Sequence, residues 1–465
     1  MSIIVQILAT GVISYLCLTM GILFTWPSST LILFSSANTT LDRVMTETEV
    51  SLLGSLSSIS GIFVIPFSGY ILDTLGRKKS CLLFYMAQLL CWIIITTCSK
   101  VEAILLAMFT FGLSSCMFLV VQIYVSEFCQ ESIRGSMTTG SMIFYGIGML
   151  LSYLMGGLMD YRTMNYIGLS MTVLGFVLVS MMKESPLFLM KVGRQKEAAQ
   201  SIAFYRSAKI DSQIVRDEVE HIKRILRPDF DETPAEEKKL NLEDASPKSL
   251  STWQYLKKSR PSQRALLVCI VLYSSAIFQG LVVVQVYAGP LFEQALPTMS
   301  STLSSVLLAL VCVVAGFFAA YFVDLIGRRR LMIDASAATG ICCLILGSQI
   351  QFNWGPNWMT GVLIYLYCVT YTLGAGTVPF VIVAEVFMPE VKSLTSMLST
   401  EWAFVCNFIV LFIFNPLVNA LGLGPVFYIF SAFSIMSGIF CHFYLPETKG
   451  LTVDVIQERF KSSRQ

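Results

Sequence analysis

The chain of 465 residues is 55% hydrophobic and 13% charged, with a formal net charge of +2. Soluble domains run at roughly 45–50% apolar and 25% charged, so this composition excludes a soluble globular protein and marks a membrane protein with the lipid bilayer as its surroundings. The near-neutral balance excludes a nucleic-acid partner and a polybasic membrane-surface binder.

Apolar stretches of about 20 residues, the length that crosses a hydrocarbon core, predict membrane helices over 8–34, 50–72, 80–98, 103–126, 137–159 and 165–182. The first starts close to Met1 but has no charged leader and is too long for a cleaved signal, so it reads as a retained helix. A hydrophilic segment follows over 183–264, carrying nearly half of all the charged residues. Within it Glu197–Arg206 and Asp211–Leu226 have helical spacing, and the acidic stretch Pro228–Pro247 reads as a linker. Six further helices are expected near 265–292, 302–323, 331–351, 360–385, 394–417 and 425–445. The expected layout is a six-helix bundle over 1–182, a cytoplasmic insert over 183–264, a second six-helix bundle over 265–445 and a cytoplasmic tail over 446–465. An even number of spans puts both termini on one side. Arg77, Lys78, Lys79, Arg134, Arg328 to Arg330 and Lys392 all fall in one set of loops, which the positive-inside rule makes cytoplasmic.

Two short patterns recur at half-chain spacing. Asp73-Thr74-Leu75-Gly76-Arg77-Lys78-Lys79 is answered 251 positions later by Asp324-Leu325-Ile326-Gly327-Arg328-Arg329-Arg330. Glu127 precedes Arg134 by seven positions, and Glu385 precedes Lys392 by the same interval. Such repetition predicts a duplicated, pseudo-symmetric bundle of the kind many transporters use. There is no phosphate-binding loop, dinucleotide fingerprint, nucleophile elbow or H-E-x-x-H pair. An enzyme, an ATP-driven pump and a bound cofactor are therefore not expected. The 13 cysteines lie mostly inside predicted spans without metal-ligand spacing, and His221 and His442 stand apart, so no metal site is expected.

These segments carry a family resemblance. The Asp-x-x-Gly-Arg turn is similar to the loop motif of the major facilitator superfamily. Tyr124 to Glu127 with Arg134-Gly135, Glu184-Ser185-Pro186, Pro379 to Glu385, and Pro446-Glu447-Thr448-Lys449-Gly450 resemble motifs of its sugar porter branch, in the right order over nearly the whole chain. Thr25-Trp26-Pro27 and Thr46 to Leu53 look most like the insect facilitated trehalose transporters. The resemblance implies an all-α fold of twelve transmembrane helices and facilitated passage of a sugar, trehalose or a hexose, by a plasma-membrane protein that works as a monomer. It also implies a gating charge network of Asp73, Gly76, Arg77, Glu127, Arg134, Asp324, Gly327, Arg328, Glu385 and Lys392. Pairs made between the halves in one state only would set the balance between two conformations.

Sugar recognition needs amides or hydroxyls and an aromatic plate in a largely apolar cavity. The polar positions that the branch uses on helix 7 are here Ala276, Ile277 and Val282, and its helix 5 Gln is Met142. The expected substrate contacts are therefore Asn407 first, then Gln279, Gln285, Tyr287 and Phe380. Gly374, Gly376 and Pro379 are expected to form a bendable gate in helix 10, and Asn38-Thr39-Thr40 is a glycosylation acceptor sequence. The first carboxylate in the chain is Asp42, so helix 1 has no acid for proton coupling and uniport is favoured. Asp334 and Glu401 keep a proton-coupled symporter as an alternative, and the missing helix 7 amides keep a non-transporting sugar sensor as another.

Overall fold

The computed structural model describes residues 2–226, 252–451 and 453–462; the expected linker Pro228–Pro247 lies outside the described residues. Among the described residues twelve helices are long and apolar enough to cross a membrane: Ile3–Phe34, Glu47–Leu75, Arg77–Thr97, Val101–Phe128, Gly140–Leu158, Tyr161–Ser180, Arg260–Val286, Ser301–Ile326, Arg328–Phe352, Asn357–Val386, Val391–Leu421 and Leu423–Tyr444. They are numbered spans 1 to 12 below. Every expected span is present, most running several residues further into the interface. No strand occurs among the described residues.

Local sequence sets where the helices begin. Thr46 and Glu49 form a reciprocal capping box at the start of span 2, Asp160 caps span 6 and Ser300 caps span 8, each supplying an acceptor to an otherwise unpaired N–H. Spans 1 and 5 approach through glycines. A Cβ on Gly21 would sit 2.3 Å from the Tyr145 carbonyl oxygen, and one on Gly148 would sit 2.0 Å from that of Leu18, which is the small-residue contact that lets membrane helices touch backbone to backbone.

Three spans are broken: spans 4 and 7, read from the sequence as continuous, and span 10, read with a bendable point at Gly374, Gly376 and Pro379. Span 4 divides into Val101–Gly112 and Met117–Phe128, span 7 into Arg260–Phe278 and Leu281–Val286, and span 10 into Asn357–Leu373 and Val378–Val386. In span 7 the break occurs at Gly280, where φ is 90° and the Phe430 ring leaves no room for a side chain. Backbone groups freed inside a membrane need partners. The hydroxyls of Tyr371 and Tyr367 in span 10 donate to the carbonyls of Ala276 and Gln279 at 2.9 and 2.6 Å.

Between spans 6 and 7, helices Pro186–Lys191, Gln195–Arg206 and Gln213–Leu226 pack through Leu189, Ala198, Ile202, Val215 and Ile222. The helix Val453–Ser462 follows span 12. Both segments lie against the end of the molecule that carries the charged turns.

Candidate functional site

At that charged end each bundle builds the same clasp. In the first, the turn between spans 2 and 3 needs a positive φ of 89° at Gly76, so Arg77 starts a new helix with unpaired N–H groups. The Glu184 carboxylate accepts from the N–H groups of Arg77 and Lys78 at 2.9 and 3.0 Å. The Arg77 guanidinium then turns inward, pairs with Glu127 at the end of span 4 at 2.8 Å, and donates to the Leu72 carbonyl at 3.1 Å. The Ser185 hydroxyl donates to the other Glu127 oxygen. Asp73 stays exposed, bonded to Lys191 at 3.1 Å.

The second bundle repeats each part. Gly327 has φ 101°, and Glu447 accepts from the N–H groups of Arg328 and Arg329 at 2.9 and 3.1 Å. Arg328 pairs with Glu385 at 2.7 Å and with Asp324 at 2.9 Å, and donates to the Val323 carbonyl at 3.1 Å. Thr448 donates to Glu385 at 2.7 Å. Even the outer cations correspond: Lys78 donates to the Ser180 carbonyl and Arg329 to that of His442, both at 2.6 Å.

The structure thus joins Asp73, Gly76, Arg77 and Glu127 in one cluster and Asp324, Gly327, Arg328 and Glu385 in another. In this conformation, sealed at the far end, neither cluster forms an ion pair with the other bundle among the described residues. Each arginine forms its ion pairs inside its own bundle, where the trailing segment folds back over the turn; Arg77 Nε also bonds Glu127, whereas the buried Arg328 Nε has no partner among the described residues. Lys392 is exposed and makes no ion pair with Glu385. The Arg134 side chain lies outside the described residues. Sequence reasoning left Glu184 and Glu447 out of the network, although each directly follows the last span of its bundle and the two stand at nearly the same half-chain interval.

The bundles meet at the opposite, far end. There the Gly289 N–H donates to the Ser28 hydroxyl at 2.8 Å, and the Tyr153 hydroxyl donates to the Gln285 carbonyl at 2.5 Å. Tyr287, expected as a substrate contact, is instead fully buried in this seal. It stacks on Phe414 with centroids 5.4 Å apart, donates to the Leu411 carbonyl at 3.1 Å and fills the space left by Gly54 of span 2. The Gln285 amide also points into packing, with Nε2 3.8 Å from Cys312 Sγ. Asn38 is exposed in the turn after span 1 at this end. Nearby Arg43 grips Glu49 through bonds of 2.8 and 2.6 Å and reaches Glu102 at 2.9 Å, and the hydrogen bonds to Glu49 hold its pKa above the ordinary arginine value.

Phe380, Asn407 and Gln279 have a different setting. Phe380 is 59% exposed and meets the ring of Tyr273 edge-on at 5.4 Å. The neighbouring Ser274 accepts from the Trp402 indole at 2.7 Å. Tyr273 and Phe380, from spans 7 and 10, thus meet as an aromatic pair, and Trp402 of span 11 is tied to the next residue of span 7; the three rings are called the aromatic shelf below. Among the described residues, the carbonyl oxygen of the Asn407 amide and both amide atoms of fully buried Gln279 have no hydrogen-bond partner. A buried amide left unpaired costs about 1–3 kcal/mol, so these positions favour a polar guest. Gly374 packs against Ala335 and Gly376 lies in the break of span 10, while Pro379 sits in the first turn of the second segment. At a helix start its missing N–H is not needed, so it marks the break without removing a helical bond.

The sequence matches the family model "Sugar (and other) transporter" over residues 4–460. It is 24% identical to the facilitated trehalose transporter Tret1 of Polypedilum vanderplanki, covering 98% of this chain and 88% of the relative. It is also 24% identical to Tret1 of Aedes aegypti, covering 98% of this chain and 55% of the relative. The chain thus spans about half the length of some of the curated relatives it matches. The plant sugar transporter ERD6 of Arabidopsis thaliana is 26% identical over 93% of this chain and 84% of its own. Among solved structures, the inward open conformation of the xylose transporter XylE from E. coli superposes with a TM-score of 0.76 at 16% identity, covering 97% of this chain and 98% of that one. Family and fold are those of transporters and not of enzymes: the chain is a multi-pass membrane protein that belongs to the sugar transporter family, in the sugar porter branch of the major facilitator superfamily.

Proposed function

We propose that this protein passes a sugar, trehalose or a hexose, down its gradient through the plasma membrane as a monomeric uniporter, by alternating access between its two bundles. The reading places the charged end, both termini and the segment between the bundles in the cytoplasm, and Asn38 outside as a glycosylation acceptor. The observation that carries it is the aromatic shelf on the same spans, 7 and 11, as the partnerless amides Gln279 and Asn407, in a bundle sealed against the other at one end. The shelf suits the apolar face of a sugar ring, and Asn407 and Gln279 suit its hydroxyls.

In the opposite state the charged end closes. Lys392 is exposed here, as are Asp73 and Asp324 beside their partners Lys191 and Arg328, and in that state these three are the groups that exchange partners between bundles, with Arg134 as the fourth member the sequence expects. The buried clasps keep each bundle rigid through the stroke. A ring of contacts made in one state only supplies the differential interaction that alternation requires.

Uptake of radiolabelled trehalose and hexoses into proteoliposomes tests this reading. The expected result is saturable uptake that is unchanged when a pH gradient is collapsed. Asn407→Ala is expected to raise the KM about tenfold, the loss of one net hydrogen bond, while the protein stays folded. Uptake of none of these sugars would refute the assignment, and binding without uptake would make the protein a sensor.

Proton-linked symport is the second reading, favoured by Glu401 of span 11, which is only partly exposed and makes no ion pair among the described residues. Asp334 is the weaker candidate, since it is exposed and lies 3.6 Å from Arg330. Glu401→Gln is expected to leave uptake and its pH independence intact. Loss of uptake both on that substitution and on collapse of the gradient would establish symport instead.

A further inference from the structure

The face along which the bundles separate can be followed on span 5. A Cβ on Gly157 would sit 2.0 Å from Thr302 of span 8, and one on Gly146 would sit 2.2 Å from Val313. Met142 and Thr138 lie one and two helical turns nearer the charged end on the face of Gly146, since residues four apart share a face. Met142 is 54% exposed. A groove of about 430 Å³ opens there between spans 4 and 5, lined by Leu119, Gln122, Ile123, Ser126, Thr138 and Met142. Its volume lies within the range of small-molecule sites, roughly 300–1,000 Å³.

Gln122 sits six residues before the end of span 4 at Phe128, about 9 Å along the helix. The other side of this segment, with Val120, Val121, Tyr124 and Val125, is buried in the first bundle. An amide at that depth belongs against protein or in a water-filled passage, because lipid offers it no partner. The Gln122 side chain has no hydrogen-bond partner among the described residues. Ser126 donates to the Ile123 carbonyl at 2.7 Å, which leaves its oxygen free to accept. Leu119, Ile123 and Met142 give the same groove an apolar wall.

We propose that this groove is a second sugar subsite, where the Gln122 amide bonds the hydroxyls of the sugar as it enters or leaves by the charged end. It rests on the reading of the protein as a sugar transporter. The shelf is built from the second bundle and the groove from the first. The amide and the Ser126 oxygen take two hydroxyls, and the apolar wall takes the C–H face of the ring.

The test compares zero-trans efflux with influx in proteoliposomes of uniform orientation, using the sugar that the wild type carries best. Q122L and Q122A are expected to raise the ratio of the KM measured from the charged-end side to that from the far side about tenfold, and Q122N to restore part of it. A purely structural role would change the amount of active protein and leave this ratio alone. In a transporting, folded protein, a ratio within twofold of wild type for both Q122L and Q122A overturns the subsite and leaves the transport reading standing. A wild type that carries no sugar overturns both.

Discussion

Arg77→Ala is expected to destabilise the protein by about 3–5 kcal/mol, the cost of leaving a buried ion-pair partner uncompensated. The Arg77 and Glu127 side chains are 11% and 8% exposed. Without the guanidinium, the Glu127 carboxylate keeps only the Ser185 hydroxyl, and the Leu72 carbonyl loses a donor. Arg328→Ala is expected to cost roughly half as much, because Glu385 is 29% exposed and retains both Thr448 and access to water. Thermal unfolding in detergent would show the larger drop in midpoint for R77A. Adding Glu127→Gln to R77A removes the stranded charge and is expected to recover part of the loss. Equal shifts in the two bundles, or no shift, would contradict the burial argument.

Gly54→Leu is expected to leave the fold intact and to cut uptake between five- and 150-fold. A Cβ at this position would lie 2.3 Å from the Tyr287 hydroxyl and 3.2 Å from Val286 Cγ1, in the seal between the bundles. Overpacking there penalises only the conformation closed at the far end, by about 1–3 kcal/mol. The protein would rest open at that end. Amide exchange over 287–292 should then quicken, since the Gly289 N–H loses its bond to Ser28. Unchanged uptake with unchanged exchange would mean that the seal takes no part in the cycle.

Much of the fold was legible because membrane helices must be long, apolar and hydrogen-bonded within themselves. The breaks in spans 4 and 7 were not, since an apolar run reads alike whether its helix is continuous or interrupted; the break in span 10 falls at Gly374 and Gly376, which the sequence had marked as a weak point. Only tertiary partners such as the Tyr367 and Tyr371 hydroxyls make the interruption tolerable. The charge clusters were half legible. The repeated turns announced Arg77 and Arg328, but which carboxylates they meet depends on chain that returns from far along the sequence, and that is where Glu184 and Glu447 come in. The substrate region was the least legible. Tyr273 looks like any core aromatic, and Tyr287, which looked like a contact, is held in the seal by Phe414 and Leu411. Met142, noted for lacking an amide, proves to share its groove with one on Gln122.

The position of the two clasp carboxylates also bears on how the protein is made. Glu184 and Glu447 come directly after spans 6 and 12, so each bundle is locked by the piece of chain synthesised just after it. At about 5–20 residues per second, the first bundle is complete and fastened on itself for many seconds before the second emerges. Its arginines are already occupied by then, so the late-arriving carboxylates Glu385 and Glu447 find only their own partners free. A chain carrying two copies of the same charged turn thereby avoids exchanging them during assembly.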